Sequence, residues 1–175
     1  RVSKRPLFFI PSTVYVEIIR GTPLLAQLFI VYFGLPSLGM NLPPFTSAVI
    51  AMGINSGAYV TEIFRGGIQS IERGQMEAAR SLGLSYLQAM RYIILPQAFK
   101  RILPPLGNEF IAMLKDSSLA STIAIAELMR VGREITSRTF RSFEVLAVVA
   151  LMYLAITLPL SLIVRYTERR MSVSD

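Results

Sequence analysis

Three carboxylates interrupt stretches of sequence that are otherwise apolar: Glu62, Glu109 and Asp116. An ionisable group at the centre of a bilayer costs ~2.5–3.5 kcal/mol on insertion scales, so such groups turn to a wet cavity or to a protein partner. Two polar sets recur at helical spacing. Asn55, Tyr59 and Glu62 stand at i, i+4 and i+7, and Glu109, Met113 and Asp116 repeat that spacing, so each set shares one helix face. This is equipment for recognising charge rather than for making bonds. The chain has no His and no Cys. That excludes Ser-His-Asp and Cys-His nucleophilic catalysis, Cys/His zinc sites and disulfide scaffolds. A structural role is open for each carboxylate as well: Asp116 with Lys115 or as a cap on the break before Ser117-Ser118, and Glu62 with Arg65 one turn away.

Such faces need long helices to carry them, and the composition supplies these. The chain has 175 residues, of which 53% are hydrophobic and 17% charged, against roughly 25% charged in a soluble domain. Disorder needs the opposite balance, and a soluble globule of this size could not bury so much apolar surface. The net charge of +7 suits nucleic acid or an anionic membrane surface, and the apolar fraction favours the membrane. The length predicts one domain over 1–175, with no repeat and no dividing linker.

Four runs are candidate spans. Phe143 to Val164 carries one charge, Glu144, at its edge and is followed by Arg165, Arg169 and Arg170; about 20 residues cover a ~30 Å hydrocarbon core. Pro159 is tolerable there with a kink. Gly21 to Leu38 and Pro44 to Val60 are uncharged and flank the breaker-rich turn Gly39–Pro44, which reads as a transmembrane hairpin. The run from Arg101 to Leu119 holds Glu109, Lys115 and Asp116, so it lines a cavity or does not span. The expected spans are 21–38, 44–64, 98–118 and 143–165. Residues 1–20, with Arg1, Lys4, Arg5 and Arg20 around apolar positions, fit an amphipathic helix on the membrane surface, and a further membrane helix is expected before residue 1. With the 39–44 turn outside, thirteen of the eighteen Lys and Arg residues lie inside, as the positive-inside rule requires. Arg130, Arg133, Arg138 and Arg141 oppose that orientation, so the path of 120–142 stays open.

Between the second and third of these helices lies an elbow. Met76 to Leu82 are good helix formers. Gly83 suits the left-handed position after a helix, with apolar Leu84 following. Ser85 and Gln88 have capping-box spacing, and Pro96 is placed to end or kink the second helix. Ala78 and Ala79 leave a thin face on which another protein could sit. The Ala79–Gly83 spacing also occurs in DNA-binding helix-turn-helix motifs. However, Tyr86, Leu87, Ala89, Met90, Tyr92 and Ile93 leave few polar groups for base edges, so no nucleic-acid partner is expected.

The pattern E-A-A-x3-G-x9-I-x-L-P is met at Glu77, Ala78, Ala79, Gly83, Ile93, Leu95 and Pro96. It resembles the signature of binding-protein-dependent ABC importer permeases. Arg20-Gly21-Thr22-Pro23-Leu24-Leu25, Glu62-Ile63-Phe64-Arg65-Gly66-Gly67 and Lys115-Asp116-Ser117-Ser118-Leu119 resemble its polar amino acid branch. The resemblance implies an all-α, polytopic transmembrane helical bundle of the type I importer permease kind. It also implies a bacterial inner-membrane location, a second permease subunit, an extracytoplasmic solute-binding protein and a separate cytoplasmic ATPase. The cytoplasmic loop of about 67–98 would meet that ATPase through Glu77, Ala78, Ala79, Arg80, Leu82 and Gly83. Substrate, a polar amino acid, would be held near the bilayer midplane, and Asn55, Glu109, Met113 and Asp116 are the matching residues. Glu109 and Asp116 would meet an ammonium group, and Met113 would supply apolar packing. The chain would then be no enzyme and need no metal or cofactor; it lacks a G-x-x-x-x-G-K-[ST] phosphate loop. A secondary transporter or channel subunit, working without an ATPase, is the alternative reading.

Overall fold

A computed structural model describes residues 6–172, which contain helices and turns and no strand. Arg1, Lys4 and Arg5 of the basic N-terminal stretch lie outside the described residues. Helix α1 spans Pro6–Arg20 and α2 spans Leu24–Phe29. The chain continues as a π turn over Ile30–Gly34 and a 3-10 turn over Leu35–Leu38. Gly39, at φ +81°, ends this segment in the left-handed region that glycine reaches without a Cβ penalty. Helix α3 (Pro44–Gln69) then starts on a proline, whose missing N–H costs nothing at a helix start.

Helices α4 (Arg73–Ser81) and α5 (Tyr86–Ala89) form the elbow. A π turn over Met90–Ile94 leads into α6 (Leu95–Asp116). The helical path runs without a break from Tyr86 to Asp116, so Pro96 does not end it; the π turn over Met90–Ile94 directly precedes the proline, where the helical hydrogen-bond ladder shifts. A 3-10 segment (Ser117–Ile123), α7 (Leu128–Thr139) and α8 (Ser142–Ser172) complete the chain.

Of the four expected spans, α8 is realised most directly. It runs unbroken through Pro159 and is the one described helix long and apolar enough to cross a membrane by itself. The 21–38 run is not a straight span. Its fifteen helical residues would cover roughly 22 Å at ~1.5 Å per residue. It instead forms a pair with α1, bent by 101° between them. In α1, Val16 is buried against the body, while Leu7, Phe8, Phe9, Ile10, Val14 and Ile18 are exposed, as are Glu17 and Arg20; the helix is docked on α3. Helices α3 and α6 have the length to cross, at 26 and 22 residues. Their polar residues keep them below the apolar threshold of a free-standing span.

A bend inside apolar surroundings leaves backbone groups needing partners. Gln27, nearly buried, supplies them. Its Nε2 donates to the Ile19 carbonyl at 2.7 Å, the Thr22 carbonyl at 3.1 Å and Thr22 Oγ1 at 2.8 Å. Its Oε1 accepts from Asn55 Nδ2 at 3.0 Å, which ties the bend to α3. Tyr15 adds a second tie by donating to the Ile54 carbonyl at 2.6 Å. Gly53 and Gly57 have the G-x-x-x-G spacing of tight helix packing, and the two differ in their surroundings. A Cβ on Gly57 would stand 2.9 Å from the Tyr15 hydroxyl, whereas nothing lies within 4 Å of one on Gly53.

Two apolar clusters close the ends of the α3–α6 pair. Leu28, Ala48, Ala51, Ala120 and Ile123 form one, and Ile71, Ile94, Ala98 and Ile102 the other. Glycines set the close crossings. Gly67 of α3 faces Ile102 of α6, Gly107 of α6 faces Val164 of α8, and Gly132 of α7 faces Val149 of α8. Small residues at such contacts let backbones approach where no water is available to drive association.

Two outcomes test this scheme in purified protein. A Cβ on Gly107 would stand 2.6 Å from Val164 Cγ2, so Gly107→Leu should cost about 1–3 kcal/mol by overpacking and lower the melting temperature. Gly66→Ala, which meets nothing within 4 Å, should not. Gln27→Leu should cost about 1–3 kcal/mol by removing the amide donor from the Ile19 and Thr22 carbonyls and the acceptor from the Asn55 amide, read as faster amide exchange over residues 19–28.

Candidate functional site

Helices α3 and α6 and the bend between α1 and α2 enclose a cavity of about 510 Å3. Asn55, Glu109 and Asp116 all line it, together with Arg20, Thr22 and Tyr59. The antiparallel contact of α3 with α6 brings the two polar faces of the sequence together. Neither the Glu109 nor the Asp116 carboxylate has a hydrogen bond or ion pair among the described residues. Asp116 thus pairs with no Lys115 amine, and its side chain accepts no capping bond from the 3-10 segment that follows. Asn55 has a structural duty as well, since its amide nitrogen is committed to Gln27.

Met113 does not join this group. It lines a separate apolar cavity of about 540 Å3 with Phe45, Val49, Gly53 and Phe110. The i+4 step that placed it on the Glu109 face is about 40° off a true repeat, enough here to carry the side chain across the edge of that face. Arg20 and Tyr59 belong to the cavity instead. The Arg20 guanidinium lies 5.0 Å from the centre of the Tyr59 ring and 3.7 Å from the Glu62 carboxylate. Arg20 reads in the sequence as part of an interfacial basic stretch; only the bend at 21–23 turns it inward. The helix-breaking Gly21-Thr22-Pro23 beside it was the available signal.

Glu62 serves structure. Its carboxylate receives a two-pronged contact from Arg65, with Nε at 3.0 Å and Nη2 at 2.7 Å, and stands beside Arg20. The Arg65 fork lies within α3, and the Arg20 contact at 3.7 Å joins α3 to the end of α1.

The second candidate surface is the elbow. Gly83 takes φ +86°. The Leu84 amide donates to the Ala79 carbonyl at 3.2 Å and the Gly83 amide to the Arg80 carbonyl at 3.0 Å, the paired bonds of a Schellman stop. Ser85 and Gln88 complete a capping box: the Ser85 amide donates to Gln88 Oε1 at 2.8 Å and the Gln88 amide to Ser85 Oγ at 3.3 Å. Glu77, Ala78, Arg80 and Gly83 are exposed, and Leu82 is 84% exposed. Ala79 differs: it is buried in the chain's own packing and offers nothing to a partner. The free face is therefore the Ala78 side. Beneath the elbow, Met76, Met90 and Ile93 pack on the Ile71–Ile94–Ala98–Ile102 cluster.

Comparison with known proteins places this arrangement. Residues 2–173 match the family described as binding-protein-dependent transport system inner membrane component. The glutamine transport system permease protein GlnP of Escherichia coli is 49% identical over 164 residues, 93% of this chain and 75% of that protein. The L-cystine transport system permease protein TcyB of Bacillus subtilis is 46% identical over 98% of this chain and 74% of its own. The arginine transport system permease protein ArtQ of Bacillus subtilis is 41% identical over 98% of this chain and 78% of its own. A crystal structure of an amino acid ABC transporter with histidines superposes with TM-score 0.91 at 50% identity, covering 96% of this chain and 78% of that one. An inward-facing methionine ABC transporter shares the fold, with TM-score 0.68 at 17% identity over 93% of this chain and 74% of that one. With the bend, the cavity and the exposed elbow all in an all-α chain matched nearly end to end, this protein belongs to the binding-protein-dependent transport system inner membrane components, the permease subunits of ABC importers.

Proposed function

We propose that this chain is a permease subunit of a bacterial inner-membrane importer for polar amino acids, crossing the membrane four times over the described helices and working with ATPase, solute-binding and second permease chains. Family membership favours this reading over a secondary transporter or channel. The observation that carries the coupling role is the elbow's division into two faces. Glu77, Ala78, Arg80, Leu82 and Gly83 point outward, while Met76 on the same helix packs on the cluster that joins the ends of α3 and α6. A cytoplasmic ATPase grasping the outward face would move α3 and α6 together, and these helices line the charged cavity. Closing and opening that cavity to alternate sides follows from such a motion.

The cavity's chemistry supports an α-amino acid as cargo. The relatives' names speak of glutamine, cystine and arginine, whose side chains differ in charge and shape. What they share is an α-ammonium and an α-carboxylate. Glu109 and Asp116 provide unpartnered acceptors for the first. Arg20, on the same lining and held by Tyr59 and Glu62, provides a cation for the second. Asn55 adds a neutral acceptor.

Two experiments on the reconstituted complex test this. Glu77→Lys combined with Gly83→Asp should abolish uptake while the protein remains in the membrane; normal substrate-stimulated ATP hydrolysis in that variant refutes the coupling role. Glu109→Gln and Asp116→Asn each remove one charged hydrogen bond, worth about 1.5–3 kcal/mol, so uptake at low substrate should fall roughly tenfold or more. Competition among labelled arginine, histidine, glutamine and glutamate identifies the cargo. Unchanged uptake of all four in both variants removes the cavity from the pathway.

A further inference from the structure

Helix α7 lies along the first half of α8, and a groove of about 410 Å3 runs between them. Gly132 allows the approach, since a Cβ there would stand 2.6 Å from Val149 Cγ2. Leu128, Val131, Ile135, Val145 and Val148 form the walls, and Arg141 and Glu144 stand at one end. The surroundings are as apolar as the walls. Phe140 is 89% and Phe143 84% exposed, and Val148, Leu151 and Met152 continue the strip along α8. Phe140 takes the left-handed φ of +58° at the end of α7, where the chain turns into α8.

The arginines at this end divide into two pairs. Arg130 is paired with Glu134 at 2.9 Å, and Arg133 donates to Ser121 Oγ at 2.7 Å. The guanidinium groups of Arg138 and Arg141 have no hydrogen bond or ion pair among the described residues. Arg138 follows Val131 at i+7 and Ile135 at i+3, so it stands on that face of α7 beside the groove that Arg141 lines. Arg141 and Glu144 are one turn apart and make no ion pair with each other. All four arginines run against the positive-inside rule; Arg130 and Arg133 are held within the chain, which leaves Arg138 and Arg141 open to an attraction outside it.

An apolar groove that opens onto an apolar helix face, ends in free guanidinium groups and is flanked by exposed phenylalanines has the layout of an interfacial lipid site. We propose that the α7–α8 groove binds one phospholipid, with an acyl chain between the helices and its phosphodiester at Arg138 and Arg141. Charge complementarity selects this occupant, because a phosphodiester meets guanidinium groups through paired hydrogen bonds. Glu144 at the same end opposes a purely anionic headgroup and matches an ammonium, so the ethanolamine headgroup fits best. The site lies apart from the charged cavity and from the elbow.

The test uses native mass spectrometry of the whole importer complex, titrated with dioleoyl phosphatidylethanolamine and, in parallel, dioleoyl phosphatidylglycerol. Wild type should retain one ethanolamine lipid per copy of this chain under conditions that strip the rest. Arg138→Gln with Arg141→Gln should lower that occupancy at least fivefold, and Arg130→Gln should leave it unchanged. Val148→Trp, which fills the groove, should displace the lipid as well. A photocrosslinker at Val148 should capture lipid. Unchanged retention in the double arginine variant overturns the proposal, as does capture of a protein chain at Val148. Equal or tighter binding of the glycerol lipid overturns the ammonium contact at Glu144. None of these readouts requires transport, so they stand whether or not the cavity carries substrate.

Discussion

A helix that bends by 101° within apolar surroundings exposes carbonyls that neither lipid nor side chain will solvate by default. The architecture rests on how that demand is met. The Thr22 hydroxyl donates to the Ile18 and Ile19 carbonyls, and Gln27 reaches the Ile19 and Thr22 carbonyls with its nitrogen while its oxygen binds Asn55. Because that second bond ends on α3, satisfying the bend also fixes α1 and α2 to the helix that carries the polar face. Arg20 is swung inward as a result, onto Tyr59 and beside Glu62. The cavity is in this sense a by-product of a solved backbone problem.

The same economy links cavity and elbow. Helices α3 and α6 are clamped at one end by the Leu28–Ile123 cluster and at the other by the Ile71–Ile102 cluster, and the second of these also seats Met76 and Met90. Close-packed interiors transmit displacement rather than absorbing it. A force on the outward side of α4 therefore has a short route to the cavity walls, through side chains already in contact. The stiff turn between α4 and α5, stopped by Gly83 and restarted by the Ser85–Gln88 box, keeps the elbow from yielding first.

Much of this was legible in the sequence because local rules dominate there. The Schellman stop at Gly83 and the capping box at Ser85 depend on residues within a few positions of each other. The Glu109–Asp116 face depends only on helical period. What escaped depends on tertiary contact or on a break in period. Met113 left its expected face by a small angular drift. Pro96 did not end its helix because a π turn directly before it shifts the hydrogen-bond ladder within a continuous helical run. Ala79 turned inward because α4 leans on its own chain. Arg20 could not be assigned to the cavity from its neighbours, since its direction is decided by a bend whose closure uses Gln27 and Asn55, 28 positions apart.

The acidic residues sort themselves by what already holds them. Glu62 is forked by Arg65 and flanked by Arg20. Glu127 accepts from the Met129 and Arg130 amides and from the Tyr153 hydroxyl, so it caps α7 and ties it to α8. Glu134 has Arg130. In each case the charge is consumed in holding one element to the next. Glu109 and Asp116 have no such partner among the described residues, and they line one cavity together. An unpaired carboxylate on a half-enclosed surface carries a desolvation cost that an internal partner could remove. Arg20 lines the same cavity and is instead occupied by Glu62 and Tyr59. One lining therefore carries both signs of charge without joining them in an ion pair.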